Sequence, residues 1–249
     1  MKPYILLDAG GTLLFPDFDW ISSLLSSKSI NVDKIEIFKK FSKVNYEIDK
    51  ALKRGGTNLW NGGLAEFVRQ MLSTIDGIEK VMDELVNIIV KEDKKKSLWS
   101  YTFDWTKPTL EKLKCEGYSM SVVSNSDGRV ESMIIEVGLR GYFDRVYDSY
   151  IVGSSKPDSK IYELALDELC LKPQDALFVG DMFYIDVLGA NTANIPAVHL
   201  DPFGYYNDWP GVRIKTLKEL PSLLKNASIA TEEFFPFGND IQCREEEIL

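Results

Sequence analysis

The apolar positions change their period along the chain. Tyr4-Ile5-Leu6-Leu7 is a short continuous apolar run, the pattern of a strand buried on both faces. It ends on Asp8, with Gly10, Gly11 and Thr12 just beyond, so the carboxylate is predicted at a strand tip where backbone can approach a ligand closely. After Leu14 comes a proline-punctuated aromatic link, Phe15-Pro16-Asp17-Phe18-Asp19-Trp20, and then a long stretch at helical spacing. Ile35, Phe38, Phe41, Val44, Ile48 and Leu52 trace one helix face; Leu64, Phe67, Val68, Met71, Leu72 and Ile75 trace a second. A third, through Ile78, Val81, Met82, Leu85, Ile88 and Ile89, runs into the lysines at 91 and 94–96, which suit a solvated helix C-terminus. No strand pattern interrupts this block, so residues 16–104 are predicted to form an all-helical unit.

From Trp105 onward helices and strands alternate. Pro108 marks the first turn of a helix that Gly117 stops, and a strand at 119–123 runs into Ser124-Asn125-Ser126-Asp127-Gly128. Val130, Met133, Ile134 and Val137 mark the next helix, and 145–150 a short strand. After the loop to Lys156-Pro157, Asp158 or Ser159 can cap a helix carrying Ile161, Leu164, Ala165 and Leu169. An apolar strand at 176–179 ends in Gly180-Asp181, a helix holds Asp186 to Asn191, and 197–200 is a further strand. Apolar β-runs separated by helices predict an α/β fold, a doubly wound and mainly parallel Rossmann-like sheet. The expected division is a core of 1–15 and 105–224, the helical unit, and a C-terminal extension at 225–249. There is no internal repeat.

Composition narrows the partners. With 45% hydrophobic and 27% charged residues the chain has the makings of a sizeable core, which excludes wholesale disorder. A net charge of −9 disfavours nucleic acid and anionic membrane surfaces and suits a divalent cation. Cys115, Cys170 and Cys243 are odd in number and far apart, which suggests neither a disulfide framework nor a zinc site; Cys115 and Cys170, at the ends of helical patterns, read as buried thiols. No charged-then-apolar leader precedes the first strand, and no apolar run reaches the roughly 18 residues of a membrane span. A cytoplasmic, soluble protein is expected, with no nucleic-acid or membrane partner.

In open α/β sheets ligands bind beyond the carboxyl ends of the strands, near the point where strand order reverses. Asp8, Ser124, Lys156 and Asp181 all fall at or just past such ends, each from a different β-unit. The four stretches that hold them resemble, in order, the four motifs of the haloacid dehalogenase-like hydrolases. These are Leu7-Asp8-Ala9-Gly10-Gly11-Thr12, Val122-Val123-Ser124-Asn125, Lys156-Pro157 before a helix, and Gly180-Asp181 followed after four residues by Asp186. The likeness covers roughly 1–15 and 105–224, and the helical block looks like that family's cap domain, a lid over the active site.

A carboxylate such as Asp8 can attack phosphorus to give an aspartyl-phosphate that water hydrolyses, provided something neutralises the two anions. Mg²⁺ held by Asp8, Asp181 and, by resemblance, the Gly10 carbonyl would do so, with Lys156 as a fixed positive charge. Ser124 and nearby groups at Gly11 and Asn125 would bind the phosphoryl oxygens. Asp186 would complete the metal site, directly or through water, or orient Lys156. Gly10 departs from the family pattern, since most of its phosphatases carry there a second aspartate that protonates the leaving group.

Three readings follow. The chain is a phosphatase of a small phosphorylated metabolite whose leaving group needs little protonation, with Asp17, Asp19 or a cap residue as substitute acid. Or it resembles the phosphonatases, with Lys50 or Lys53 as Schiff-base candidates, or the 2-haloacid dehalogenases. Or it binds a phosphorylated ligand without turnover. The dehalogenase reading fits less well, because its counterpart of Gly180-Asp181 is typically Ser-Asn and it needs an early cap arginine, whereas the first arginine here is Arg54. Substrate selection is expected from the 54–63 stretch, with Arg54 and Trp60 as contacts. Trp20 would pack the lid or close over substrate. His199 reads as structural, and Phe234-Phe235-Pro236-Phe237 as an apolar patch that docks on the core or a partner.

Overall fold

The computed structural model describes residues 2–55, 63–226, 229 and 232–236. The chain divides into two compact units, residues 15–101 and the rest, 1–14 with 102–249.

The larger unit is built on six strands, β1 (Tyr4–Leu7), β2 (Met120–Ser124), β3 (Val146–Asp148), β4 (Ala176–Gly180), β5 (Ala197–Leu200) and β6 (Val212–Ile214). They lie in the order β3-β2-β1-β4-β5-β6, and every neighbouring pair is parallel. Parallel strands need crossovers, which is why helices separate them in sequence and cover them in space. Ile5, Leu6, Leu7, Val122, Val123, Leu177, Phe178 and Val179 are completely buried, the physical basis of their uninterrupted apolar runs. The chain works outward from β1 through β2 to β3, then returns to start β4 on the other side of β1. The switch point therefore falls between β1 and β4, directly beyond Leu7 and its register partner Val179.

Between the strands run the helices α5 (Thr106–Cys115), α6 (Val130–Glu136), α7 (Ser149–Val152), α8 (Ser159–Glu168) and α9 (Gly189–Thr192), with α10 (Leu220–Asn226) after β6. The helical unit holds α1 (Phe18–Ser26), α2 (Lys34–Lys53), α3 (Gly63–Leu72) and α4 (Met82–Asp93). Its interior is an aromatic cluster. Phe15, Phe18, Phe38 and Phe41 meet at centroid distances of 5.4–6.3 Å, and Phe67 extends the cluster from Phe41 to Trp99. An antiparallel bridge between Phe15 and Tyr101 ties its two chain ends together. Three of its aspartates serve nearby backbone: Asp17 caps α1 through the Trp20 amide, Asp33 caps α2 through Ile35 and Glu36, and Asp93 accepts from Leu98.

Several expectations from the sequence change. The link at 15–20 already contains the start of α1, because Asp17 caps it. Ile35 points outward, 55% exposed in the first turn of α2, and Ile37 is buried instead. The 78–89 pattern is a short 3₁₀ turn, Ile78–Lys80, followed by α4, with Val86 inward. Cys115 and Cys170 are exposed, not buried. Cys115 lies two residues past Leu113, the last inward position of α5, and Cys170 follows the end of α8 in the left-handed region, φ 53°. Residues 149–152 form a helical turn, not the end of the third strand. Three residues of β6, only one of them fully buried, were too weak a signal to be predicted. Among the described residues no helix is long and apolar enough to cross a membrane.

Candidate active site

Asp8 emerges from β1 at the switch point, its amide donating to the Val179 carbonyl at 2.9 Å. The following turn folds on the Ala9 carbonyl, which accepts from Leu13 and Leu14. Gly11 is required here twice over: its φ is +87°, and a Cβ on it would lie 2.1 Å from Asp181 Oδ2. Thus the loop after β1 and the tip of β4 meet through a residue that has no side chain.

Lys156 reaches this point from the loop before α8. Its Nζ donates to Asp8 Oδ1 at 2.5 Å and to Asp186 Oδ1 at 2.6 Å, and all three side chains are buried. Asn125 fixes the lysine's backbone from both sides, since its Nδ2 donates to the Lys156 carbonyl and its Oδ1 accepts the Lys156 amide, both at 2.8 Å. Asp186 sits on a π-helical turn, Phe183–Leu188, that places it under the tip of β4. Its second oxygen accepts the Met182 amide at 2.9 Å, and only glycine at 180 leaves it room, because a Cβ there would lie 2.4 Å from its Cγ.

Carboxylate oxygens of Asp8, Asp181 and Asp186 lie within 4.8 Å of one another, and all three residues are buried. Three acids face one ammonium. Burial pushes the Asp8 carboxyl up to about 7; Lys156 pulls it down, and Asp186 pushes it up again. Burial disfavours the Lys156 ammonium, but Asp186 and Asp8 outweigh this and hold its pKa above the ordinary lysine value. The cluster is short of positive charge, and an all-oxygen donor set suits a hard divalent cation, so these residues fit Mg²⁺.

The predicted residues divide accordingly. Asp8, Lys156, Asp181 and Asp186 come together, and Ser124 ends β2 beside them, 3% exposed. Gly11 and Asn125 take partners within the chain. The Gly11 amide donates to the Leu14 carbonyl at 2.7 Å, so it is not available to a phosphoryl oxygen, and the Asn125 amide group is engaged on the Lys156 backbone. Arg54 is exposed at the end of α2, and Trp60 lies outside the described residues.

Two supporting residues flank the acids: Tyr162, which the sequence gave no role, and His199, which it read as structural. The buried Tyr162 hydroxyl donates to the carbonyls of Ile185 and Asp186 at 3.1 and 3.3 Å, bracing the π-helical turn. His199 Nε2 donates to the Asp181 carbonyl at 3.0 Å, and burial pushes that imidazole down to about 4, so the ring is neutral. Phe234, in the expected apolar patch, is buried and its carbonyl accepts from Asn191. Phe237 lies outside the described residues.

A six-stranded parallel sheet that gathers a carboxylate, a lysine and two further acids at its switch point defines a Rossmann-like α/β protein with an acidic centre suited to a hard cation. The haloacid dehalogenase-like hydrolase family model matches residues 25–200, more than half of the chain. The chain belongs to that family. It is 33% identical over 129 residues to a glyceraldehyde 3-phosphate phosphatase from Methanothermobacter thermautotrophicus, covering 51% of this chain and 57% of that one. It is 38% identical over 87 residues to haloacid dehalogenase-like hydrolase domain-containing protein 3 of Mus musculus, 35% of each chain. It therefore spans between about a third and somewhat over half of these relatives' lengths. Among solved structures it is similar to a phosphatase of the family from Thermococcus onnurineus, with a TM-score of 0.56, 24% identity, and coverage of 90% of this chain and 98% of that one. It is also similar to the L-2-haloacid dehalogenase of Xanthobacter autotrophicus, with a TM-score of 0.59, 16% identity, and coverage of 92% and 100%. At these identities the structural likeness speaks for the fold alone.

Proposed function

We propose that the protein is a Mg²⁺-dependent phosphatase of a small phosphorylated metabolite, working through an aspartyl-phosphate on Asp8. The observation that carries this reading is the buried cluster of Asp8, Asp181 and Asp186 around a single lysine. Burying four charges costs several kcal/mol each, which a fold does not sustain for stability alone. The phosphatases among its relatives support the same substrate class. Asp8, Asp181 and the Gly10 carbonyl would hold the cation, which when bound would neutralise charge between the nucleophile and an incoming phosphoryl group.

The chain's own residues supply the rest. The Asp8 carboxylate attacks phosphorus in line with the departing oxygen. Lys156 keeps its charge through the contact with Asp186 and offers a proton-bearing nitrogen to the phosphoryl group as Asp8 turns toward phosphorus. The Ser124 hydroxyl donates to another phosphoryl oxygen. Asn125 and Asp186 act as positioning residues for Lys156, and His199 does so for the backbone that carries Asp181. The helical unit is read as the cap that selects substrate, with Arg54 and Trp60 as candidate contacts.

A screen of phosphorylated metabolites with and without Mg²⁺ tests the proposal. Metal-dependent release of phosphate is expected, and Asp8→Asn should reduce it by at least about 10⁴-fold, as for loss of a covalent nucleophile. Absence of turnover across the panel at saturating Mg²⁺ would leave a ligand-binding protein on a hydrolase scaffold.

A further inference from the structure

Position 10, two residues beyond Asp8, is a glycine and offers no side chain to protonate a leaving group. Among the described residues, Asp148, Asp186, Asp201 and His199 around the C-terminal edge of the sheet are already engaged. Asp186 holds Lys156 and the Met182 amide. Asp148 accepts from the amides of Gly128, Val130 and Tyr150, and Asp201 from those of Tyr205 and Tyr206. His199 has its Nε2 proton on the Asp181 carbonyl. In the helical unit, Asp17 caps α1 and Asp19 pairs with Lys34 at 3.1 Å. Both aspartates considered as substitute acids thus have structural partners.

On the phosphatase reading, from which this inference follows, we propose that the natural substrate is a phosphoryl donor whose leaving group departs as a stable anion. Acyl phosphates and the phosphates of acidic phenols or enols are of this kind, and simple alkyl phosphates are not. In the first step a bond forms from Asp8 to phosphorus, and the bond from phosphorus to the leaving oxygen breaks. Its electron pair stays on that oxygen, which leaves unprotonated as a carboxylate or phenolate. In the second step water attacks phosphorus and the Asp8–phosphorus bond breaks, returning the electron pair to the Asp8 carboxylate. Both water protons remain on the phosphate, which departs as dihydrogen phosphate. Neither step needs an acid from the protein, whereas expulsion of an alkoxide would.

The test measures kcat/KM at saturating Mg²⁺ for acetyl phosphate, a series of aryl phosphates of increasing phenol pKa, and glycerol phosphate, with wild type, Asp8→Asn and Gly10→Asp. Because kcat/KM reports transfer to Asp8, a slow second step does not mask the trend. Asp8-dependent turnover is expected to fall steadily along the series, with glycerol phosphate about 10²–10⁴-fold below acetyl phosphate. Gly10→Asp should raise the slow substrates most and narrow that gap. If wild type turns over glycerol phosphate within about tenfold of acetyl phosphate, and Asp8→Asn removes both activities, the inference falls and the phosphatase reading stands. If no member of the series shows Asp8-dependent turnover, the phosphatase reading itself falls. The wild-type series decides between these outcomes even where Gly10→Asp fails to fold.

Discussion

The carboxylates of the helical unit and those at the switch point of the sheet are put to opposite uses. In the helical unit Asp17, Asp33 and Asp93 bind backbone amides at most five residues away, at element ends where those amides would otherwise be orphaned. Asp19 pairs with Lys34 across two exposed side chains, 60% and 46% accessible. At the sheet, Asp8 and Asp186 share a lysine that is 148 residues from one and 30 from the other, with side chains 7% accessible or less. The first arrangement stabilises local structure at little desolvation cost. The second brings charges from distant segments into a dry site, where each interaction is strong and each missing partner expensive.

The contrast can be broken first at the lysines. Lys156→Met should leave two buried carboxylates facing each other and lower the unfolding free energy in urea by about 3–5 kcal/mol, while Lys34→Met should change it by less than about 1 kcal/mol. Equal effects would mean that the buried pair relaxes by protonation or water entry.

A smaller effect tests the imidazole that supports Asp181. Its pKa falls from 6.5 to about 4 in the folded protein, so below 6.5 the unfolded chain takes up the proton first. Stability from neutral His199 is complete above 6.5 and is lost as pH falls toward 4, amounting to about 3 kcal/mol. Asp8 has the opposite sign: raised from 3.8 to about 7, its contribution is lost as pH rises through that range. Because the two oppose each other between pH 7 and 4, the readout is the difference in urea-unfolding free energy between wild type and His199→Phe, which should move against the wild type by about 3 kcal/mol as pH falls over that range. A difference that does not change with pH would mean that His199 does not titrate in this way.

The smallest expected change is in the helical unit. Asp33→Ala removes the cap of α2 and should cost about 1 kcal/mol, read by denaturation or by faster amide exchange at Ile35 and Glu36. A cost as large as that of Lys156→Met would mean that this carboxylate is more than a local cap.

Much of this division could be read before the structure. Tyr4–Leu7 and Ala176–Gly180 are apolar throughout because both faces of a parallel sheet are covered, and Asp158 precedes α8 because helix starts need an acceptor. Asp8, Ser124, Lys156 and Asp181 could be named because strand ends mark where ligands approach, and Asp186 because its spacing from Asp181 resembles the acidic motif of the family. The work of Asn125 could not be read, because an asparagine after a strand is equally suited to a ligand or to a neighbouring backbone. Nor could the engagement of the Gly11 amide, which depends on how tightly the turn closes on Leu14. The exposure of Cys115 and Cys170 was missed because each lies just past the last inward position of its helix.

What the sequence determined by itself is therefore local: the period of each element, the caps, the strand tips, and glycine where a Cβ would collide. The tertiary structure alone decided which partner each polar group takes. It assigned Asp186 to Lys156, Asn125 to the lysine's backbone, His199 to the Asp181 carbonyl, and the short β6 to the sheet edge. The physical reason is range. Backbone preferences and hydrophobic period act within one or two turns of chain, whereas the buried charges here are matched only when segments 30 and 148 residues apart in sequence close on one another and exclude water.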